Sequence, residues 1–125
     1  MPLLLFLQAH NQRYLHLLLY IPQLLPTLEQ LVKHITRIKK HINYELDIEG
    51  ILITLVDSRT NFSKEIIKLI RNFYGHRVKV FTEFIPRSVR AEECTAEGVS
   101  IFDYEPEGIV AMAYQSLAEE VLANE

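Results

Sequence analysis

Tryptophan is absent from the 125 residues, cysteine occurs once, at Cys94, and glycine only four times, at Gly50, Gly75, Gly98 and Gly108. A single cysteine excludes an intramolecular disulfide framework and offers no thiolate cluster for a metal, so a reducing cytoplasm is the expected compartment. The scattered glycines form no glycine-rich loop, and no Gly-Lys-Ser or Gly-Lys-Thr occurs, so these residues contain no backbone cradle for phosphates of the usual kind. An uninterrupted apolar stretch of about 20 residues, the requirement for a membrane-spanning helix, is missing as well. Residues 1–26 are rich in leucine, but Gln8, His10, Asn11, Gln12 and Arg13 interrupt them, and no basic segment precedes them as a secretory signal requires. Finally, no Lys or Arg lies beyond Arg90.

With 49% apolar and 23% charged residues, the composition is that of one ordinary globular domain with a single core. The net charge of -3 conceals a division along the chain. Residues 33–90 carry 12 Lys or Arg against 6 Asp or Glu, and residues 91–125 carry 9 acids and no Lys or Arg. The basic part suits nucleic acid or another anion, or else a set of solvated helix faces.

The clearest local signal is the β-branched run Ile51-Leu52-Ile53-Thr54-Leu55-Val56, which ends in the polar turn Asp57-Ser58-Arg59-Thr60-Asn61. A continuous apolar run predicts a strand buried on both faces, usually a parallel strand covered by helices. Ligands in open parallel sheets bind beyond the carboxyl ends of the strands, so residues 57–61 lie where a site is expected. The plainer alternative is that Asn61 or Ser63 caps the next helix.

Before this strand, residues 1–26 read as a short helix or strand that buries leucines, or as a sticky, poorly packed segment, bounded by Pro22 and Pro26. Thr27 is the expected N-cap of a helix to about Ile42, with Leu28, Leu31, Val32, Ile35, Ile38 and Ile42 as its apolar stripe. After the polar turn, Phe62, Ile66, Ile67, Ile70 and Phe73 or Tyr74 mark a second amphipathic helix closed by Gly75. Residues 78–85 read as a second strand stopped by Pro86, leading to a polar turn over 87–93. Two strands joined by a helix are expected to be parallel, which brings both polar turns to one sheet edge. Residues 100–103 suggest a short extended piece. A last helix is expected over about 109–122, with Val110, Ala113, Tyr114, Leu117, Val121 and Leu122 on its core face.

Catalytic constellations are few. Cys94 follows Glu92 and Glu93, surroundings that disfavour a reactive thiolate. No serine stands in a Gly-x-Ser-x-Gly turn. The pairs Glu92/Glu93 and Glu119/Glu120 read as surface charge. His34 and His41 are seven apart on the first predicted helix among basic neighbours and read as solvated. No catalytic residue and no metal site is assigned.

The ordered motifs Leu28-x-Gln30-Leu31, Ile35-x-x-Ile38-Lys39-Lys40-x-Ile42-Asn43, Ile48-Glu49-Gly50-Ile51-Leu52-Ile53-Thr54-x-x-Asp57-Ser58-Arg59-Thr60-Asn61 and Ile85-Pro86-Arg87-Ser88-Val89-Arg90 resemble the C-terminal half of ParA-type partitioning ATPases, the Soj-like group. The resemblance continues through Glu93, Gly98, Tyr104-x-Pro106, Ala113-Tyr114-x-x-Leu117-Ala118-x-Glu120-Val121, and covers about residues 28–123. It implies an α/β fold, part of the three-layer, Rossmann-like P-loop NTPase architecture, with two or three mostly parallel strands and flanking helices. It also divides the chain into a non-matching leader, 1–26, and the ParA-like part, 27–125. A truncated partition protein, arising from a frameshift or a misplaced start, is the resulting expectation.

The same resemblance implies functional residues. Asp57, Arg59 and Pro86 are the implied adenine-side residues, and Arg59, Arg87 and Arg90 the leading contacts to non-specific DNA, with Lys64, Lys68 and Arg71 secondary. ATP and Mg serve the full-length family; no cofactor is expected for this chain alone, and no hydrolysis. Implied partners are DNA, bound weakly, a second copy or a full-length ParA-like protein, and a ParB-like protein, with a nucleoid-associated place in the cytoplasm and no membrane. The alternative from a different class is a small interaction or oligomerisation protein whose leader docks on a partner.

Overall fold

The computed structural model describes residues 3–9, 13–19 and 24–123, with side chains from Glu29 onward. The described elements are β1 (Leu3–Ala9), β2 (Arg13–Leu19), α1 (Leu24–His41), β3 (Asp47–Ile53), α2 (Asn61–Tyr74), α3 (Val89–Glu97), α4 (Ile101–Tyr104) and α5 (Ile109–Ala123).

Strand β3 is sealed on both sides, as its continuous apolar run requires. Ile51 and Ile53 face one core with Ile35 of α1 and Ile67, Ile70 and Tyr74 of α2. Leu52 faces a second core with Phe81, Ile85 and Val110, Ala113 and Leu117 of α5. The result is a three-layer α/β arrangement, with α1 and α2 on one face and α5 on the other. Burying each of these strand side chains contributes about 1.5–3 kcal/mol.

The sheet differs from the mostly parallel one expected. Its order is β2-β1-β3, and both pairings are antiparallel, with Leu3 opposite Leu19 and Leu3 opposite Ile53. The physical reason lies in the connection: β1 and β2 are joined by only three residues, a length that permits a hairpin but not a parallel crossover. The burial of the leader's leucines lies outside the described residues.

Parallel pairing occurs where a helix intervenes, as anticipated, but not along a continuous strand. The bridges Ile51 with Val80 and Val56 with Pro86 are parallel and isolated. Ile51 N–H donates to Lys79 O at 2.8 Å and Phe81 N–H to Ile51 O at 2.9 Å. The ladder resumes only where Ile85 N–H donates to Ile53 O at 2.9 Å and Val56 N–H to Ile85 O at 3.1 Å. Residues 82–84 make an excursion between these two short pieces.

β3 has its own irregularity at the same level. Ile85 sits between Ile53 and Val56 in the hydrogen-bond pattern, where a regular parallel ladder would use Ile53 and Leu55. Leu55 is the extra residue, with φ of 53°, in the left-handed region. The inserted residue reverses the alternation of side chains, so Val56 joins the same core as Ile51 and Ile53.

The helices depart from expectation in part. α1 begins at Leu24, so Thr27 lies inside its first turns rather than capping it, and Pro26 is tolerated because first-turn N–H groups have no intrahelical acceptor. Of its apolar stripe Ile35 is buried, whereas Ile38 and Ile42 are exposed; the side chain of Leu28 and the boundary at Pro22 lie outside the described residues. In α2 the expected stripe is buried at Ile67, Ile70 and Tyr74, with Ile66 packed against the core, while Phe62 is exposed and Ser63 is buried instead. Residues 89–97 form α3 rather than a turn, ended by Gly98 at φ 68°, and residues 101–104 form a helical turn rather than an extended piece. α5 matches its expected range, although Leu122 is exposed.

A Cβ at Gly50 would lie 2.6 Å from the ring of fully buried Phe81. Gly50→Ala is expected to destabilise by about 1–3 kcal/mol through overpacking, and Gly50→Ala/Phe81→Leu to recover part of that loss, both measured by urea unfolding. At Leu55 the usual order of alanine above glycine should invert. Leu55→Gly is expected to be more stable than Leu55→Ala by about 1 kcal/mol, since both remove the side chain but only glycine accepts a positive φ without cost.

Candidate functional site

The turn after β3 is held by its own polar groups. Asp57 Oδ1 accepts from the backbone N–H of Arg59 at 3.1 Å and from its Nε at 3.1 Å, while Oδ2 accepts from Nη2 at 3.4 Å. These bonds from Arg59 hold the Asp57 carboxyl below its ordinary range and raise the guanidinium in turn. Thr60 N–H and Thr60 Oγ1 both donate to Asp57 O, at 3.1 and 3.0 Å. The Thr60 hydroxyl oxygen also accepts from Ser63 N–H at 3.2 Å. Thr60, rather than Asn61 or Ser63, is therefore the N-cap of α2.

Opposite this turn stands Ile85-Pro86-Arg87, fixed by the bond from Arg87 N–H to Val56 O at 2.9 Å. A cavity of about 420 Å³ lies between the two turns, walled by Val56, Asp57, Arg59, Pro86 and Arg87 and closed by Val89 and Ile109. Its volume is within the ~300–1,000 Å³ range of small-molecule pockets, with apolar walls and a charged rim. The Asp57 carboxylate is already engaged by Arg59 and holds the turn.

A larger cavity of about 620 Å³ lies on the other side of Pro86, between β3 and α3, with Leu55, Ile85, Cys94, Val110 and Tyr114 in its walls. It contains Pro86 but none of the other expected site residues. Cys94 is buried there, with Sγ 3.1 Å from Ala91 O, while Glu92 and Glu93 are exposed. Among the described residues, no group of three His, Cys, Asp or Glu gathers as metal ligands, and no helix is long and apolar enough to cross a membrane.

The expected contact residues divide into two sets. Asp57, Arg59, Pro86 and Arg87 share the smaller cavity. Arg59 is 90% exposed despite its bonds to Asp57, and Arg87 pairs with Glu92 at 3.6 Å. Arg90 lies outside that cavity and pairs with Glu93 at 3.7 Å, a carboxylate that also accepts from Tyr104 Oη at 3.1 Å. Lys64 and Lys68 are exposed on α2. Arg71 is committed elsewhere: its Nη2 donates to Thr82 O at 2.7 Å.

That bond meets a residue whose role was not anticipated. Glu120 of α5, 18% exposed, accepts from Thr82 N–H at 3.0 and 3.1 Å, one distance to each carboxylate oxygen, and from the Thr82 hydroxyl at 3.2 Å. Lys79 Nζ lies 3.4 Å from the same carboxylate and 5.4 Å from the centre of the Phe81 ring. Glu120 and Arg71 thus hold the 82–84 excursion from two sides, and through it the approach to Pro86. Val89 and Ile109 were also missed as cavity residues, because both are exposed and nothing in their spacing sets them apart.

Helices on both faces of a strand, with a cavity beyond the carboxyl ends of parallel-paired segments, define the class as an α/β protein with a strand-end cavity, the place where open α/β sheets bind ligands. No protein-family model matches the chain. The chain is 39% identical over 97 residues to the sporulation initiation inhibitor protein Soj of Bacillus subtilis, a match covering 78% of this chain and 38% of that protein. It is 33% identical over 95 residues to the chromosome-partitioning ATPase Soj of Treponema pallidum (76% and 37%), and 34% identical over 98 residues to the chromosome partitioning protein ParA of Caulobacter vibrioides (78% and 36%). The chain belongs to the Soj/ParA chromosome-partitioning family over this shared length, and it spans well under half the length of these relatives.

Burial tends to raise the Glu120 carboxyl, but the N–H groups of Thr82 and Glu83 and the ammonium of Lys79 outweigh it and hold it below its ordinary 4.5. A depressed folded value means that its stabilisation is present above 4.5 and is lost as pH falls through the lower folded value. Glu120→Gln is expected to cost about 1–3 kcal/mol near neutrality. In urea unfolding across pH 7 to 3, the gap between wild type and variant is expected to narrow on the acid side.

Proposed function

We propose that the cavity between Asp57 and Pro86 is the base-side half of an adenine-nucleotide pocket, and that the chain acts as a ParA-like DNA segregation component. The observation that carries this reading is the parallel pairing at Val56 and Pro86, which sets both turns against one cavity. Pro86, Val56 and Ile109 would cover the faces of a base, and the Asp57–Arg59 pair would hold the rim. ATP, when bound, supplies the exchangeable group whose turnover drives partitioning. These 125 residues contain no Gly-Lys-Ser or Gly-Lys-Thr to hold its phosphates, so on their own they are expected not to hydrolyse it.

Non-specific DNA affinity is the second part of the proposal, carried by Arg59, Arg87 and Arg90 with support from Lys64 and Lys68. Each cation that neutralises a phosphate adds sequence-independent, salt-sensitive affinity. All three arginines are paired with a carboxylate, Arg59 with Asp57, Arg87 with Glu92 and Arg90 with Glu93, which reduces the field each presents; Arg59 is the most exposed of the three. A second copy, a full-length ParA-like protein and a ParB-like protein are the proposed protein partners, with a nucleoid-associated location in the cytoplasm.

Duplex DNA titrated by gel shift at low and moderate salt tests this reading. Arg59→Ala is expected to lower the slope of log affinity against log salt by about 0.9. Unchanged affinity at every salt concentration would exclude Arg59 from the interface. Steady ATP turnover by purified chain, abolished by Pro86→Glu, would contradict the expected inactivity.

A further inference from the structure

The fold converts the division of charge along the sequence into a division between its two helical layers. α1 holds four Lys or Arg against one Glu and α2 holds three against one, both packed on the same face of β3. Residues 89–123, which form the opposite layer and its loops, hold Arg90 against eight acids. Arg87 and Arg90 therefore lie beside acids, while the strongest unopposed positive charge lies on the far side of the sheet.

Within α1 that charge is ordered. At 3.6 residues per turn, Lys33, Arg37 and Lys40 fall in one row flanked by His34 and His41. All five are exposed, and the row lies opposite buried Ile35. Lys39, off this row, is paired with Asp47 at 3.3 Å. Among the described residues Lys33, Arg37 and Lys40 form no ion pair.

We propose that the outer face of α1 is a second nucleic-acid surface, separate from the turns around Pro86, whose occupant is the phosphate backbone of a duplex. From Lys33 to Lys40 the helix rises about 10 Å, a length over which duplex DNA presents roughly six phosphates. A membrane-surface helix would instead place large apolar groups beside its cations, whereas α1 packs Leu31, Val32 and Ile35 into the core, and the exposed Ile38 and Ile42 lie roughly 130° and 170° round the helix from the basic row. The proposal rests on the proposed function for its class of ligand and differs from it in the surface used.

The test is duplex binding by the whole chain between about 50 and 200 mM salt. Wild type is compared with Lys33→Gln/Arg37→Gln/Lys40→Gln and with Arg59→Ala/Arg87→Ala, circular dichroism confirming the fold of each. The α1 variant is expected to lose roughly 2.7 from the slope of log affinity against log salt, 0.9 for each cation. Should the triple variant not fold, each single substitution is expected to remove about 0.9. An α1 variant that keeps the wild-type slope while the Arg59/Arg87 variant loses it overturns this proposal and leaves the Pro86-side reading standing. Wild type without salt-sensitive binding overturns both. Binding to phosphatidylserine vesicles, lost in the α1 variant and unaccompanied by DNA binding, overturns the nucleic-acid assignment.

Discussion

Everything in this chain depends on burying β3 from both sides at once. Ile51, Leu52 and Ile53 expose almost no surface, and a strand so placed has no polar face to offer water. Its two faces therefore recruit helices of different sequence origin: α1 and α2 from before and after it, and α5 from the far end of the chain. The polar turn that follows needs no core of its own, because the strand delivering it is immobilised by both layers. The proximity of the Asp57 and Pro86 turns is thus a by-product of hydrophobic burial, achieved before any ligand contributes.

The parts of this arrangement written in local chemistry were legible in the sequence. The β-branched run named the central strand, and the helical spacing of Ile67, Ile70 and Val110, Ala113, Leu117 named the helices that cover it. The parallel approach of 78–86 followed from the intervening helix. What escaped notice depends on distance or on small side chains. α3 buries only Cys94, so its helical period is faint and it reads as a polar turn. The break at 82–84 is stabilised by Glu120, 38 residues away, and no local pattern marks that carboxylate as an acceptor rather than surface charge. The antiparallel sheet was hidden because a leucine-rich segment carries little alternation from which to tell a strand from a helix. Among the candidate site residues, Asp57, Arg59, Pro86 and Arg87 line one cavity, and Arg71 donates to Thr82 O.

Charge and shape make separate contributions. The cavity at Pro86 mixes apolar walls, Val56, Pro86, Val89 and Ile109, with the polar side chains of Asp57, Ser58, Arg59 and Arg87. The basic layer presents exposed cations along a helix: Lys39 is paired with Asp47, while among the described residues Lys33, Arg37 and Lys40 form no ion pair. The cavity and the basic helix faces thus differ in character as well as in position on the fold.

Leu55 carries a consequence for how this segment can change over evolutionary time. Because the residue is a single insertion that inverts the inward and outward alternation, its presence determines the orientation of every residue after it up to the cap of α2. Substitutions at the position alter stability by modest amounts, whereas removing it would turn Val56 away from its core and rotate the Asp57 turn out of line with Pro86. The segment between Ile53 and Thr60 is therefore permissive of sequence and intolerant of length, so inherited variation here should accumulate as replacements and almost never as gaps.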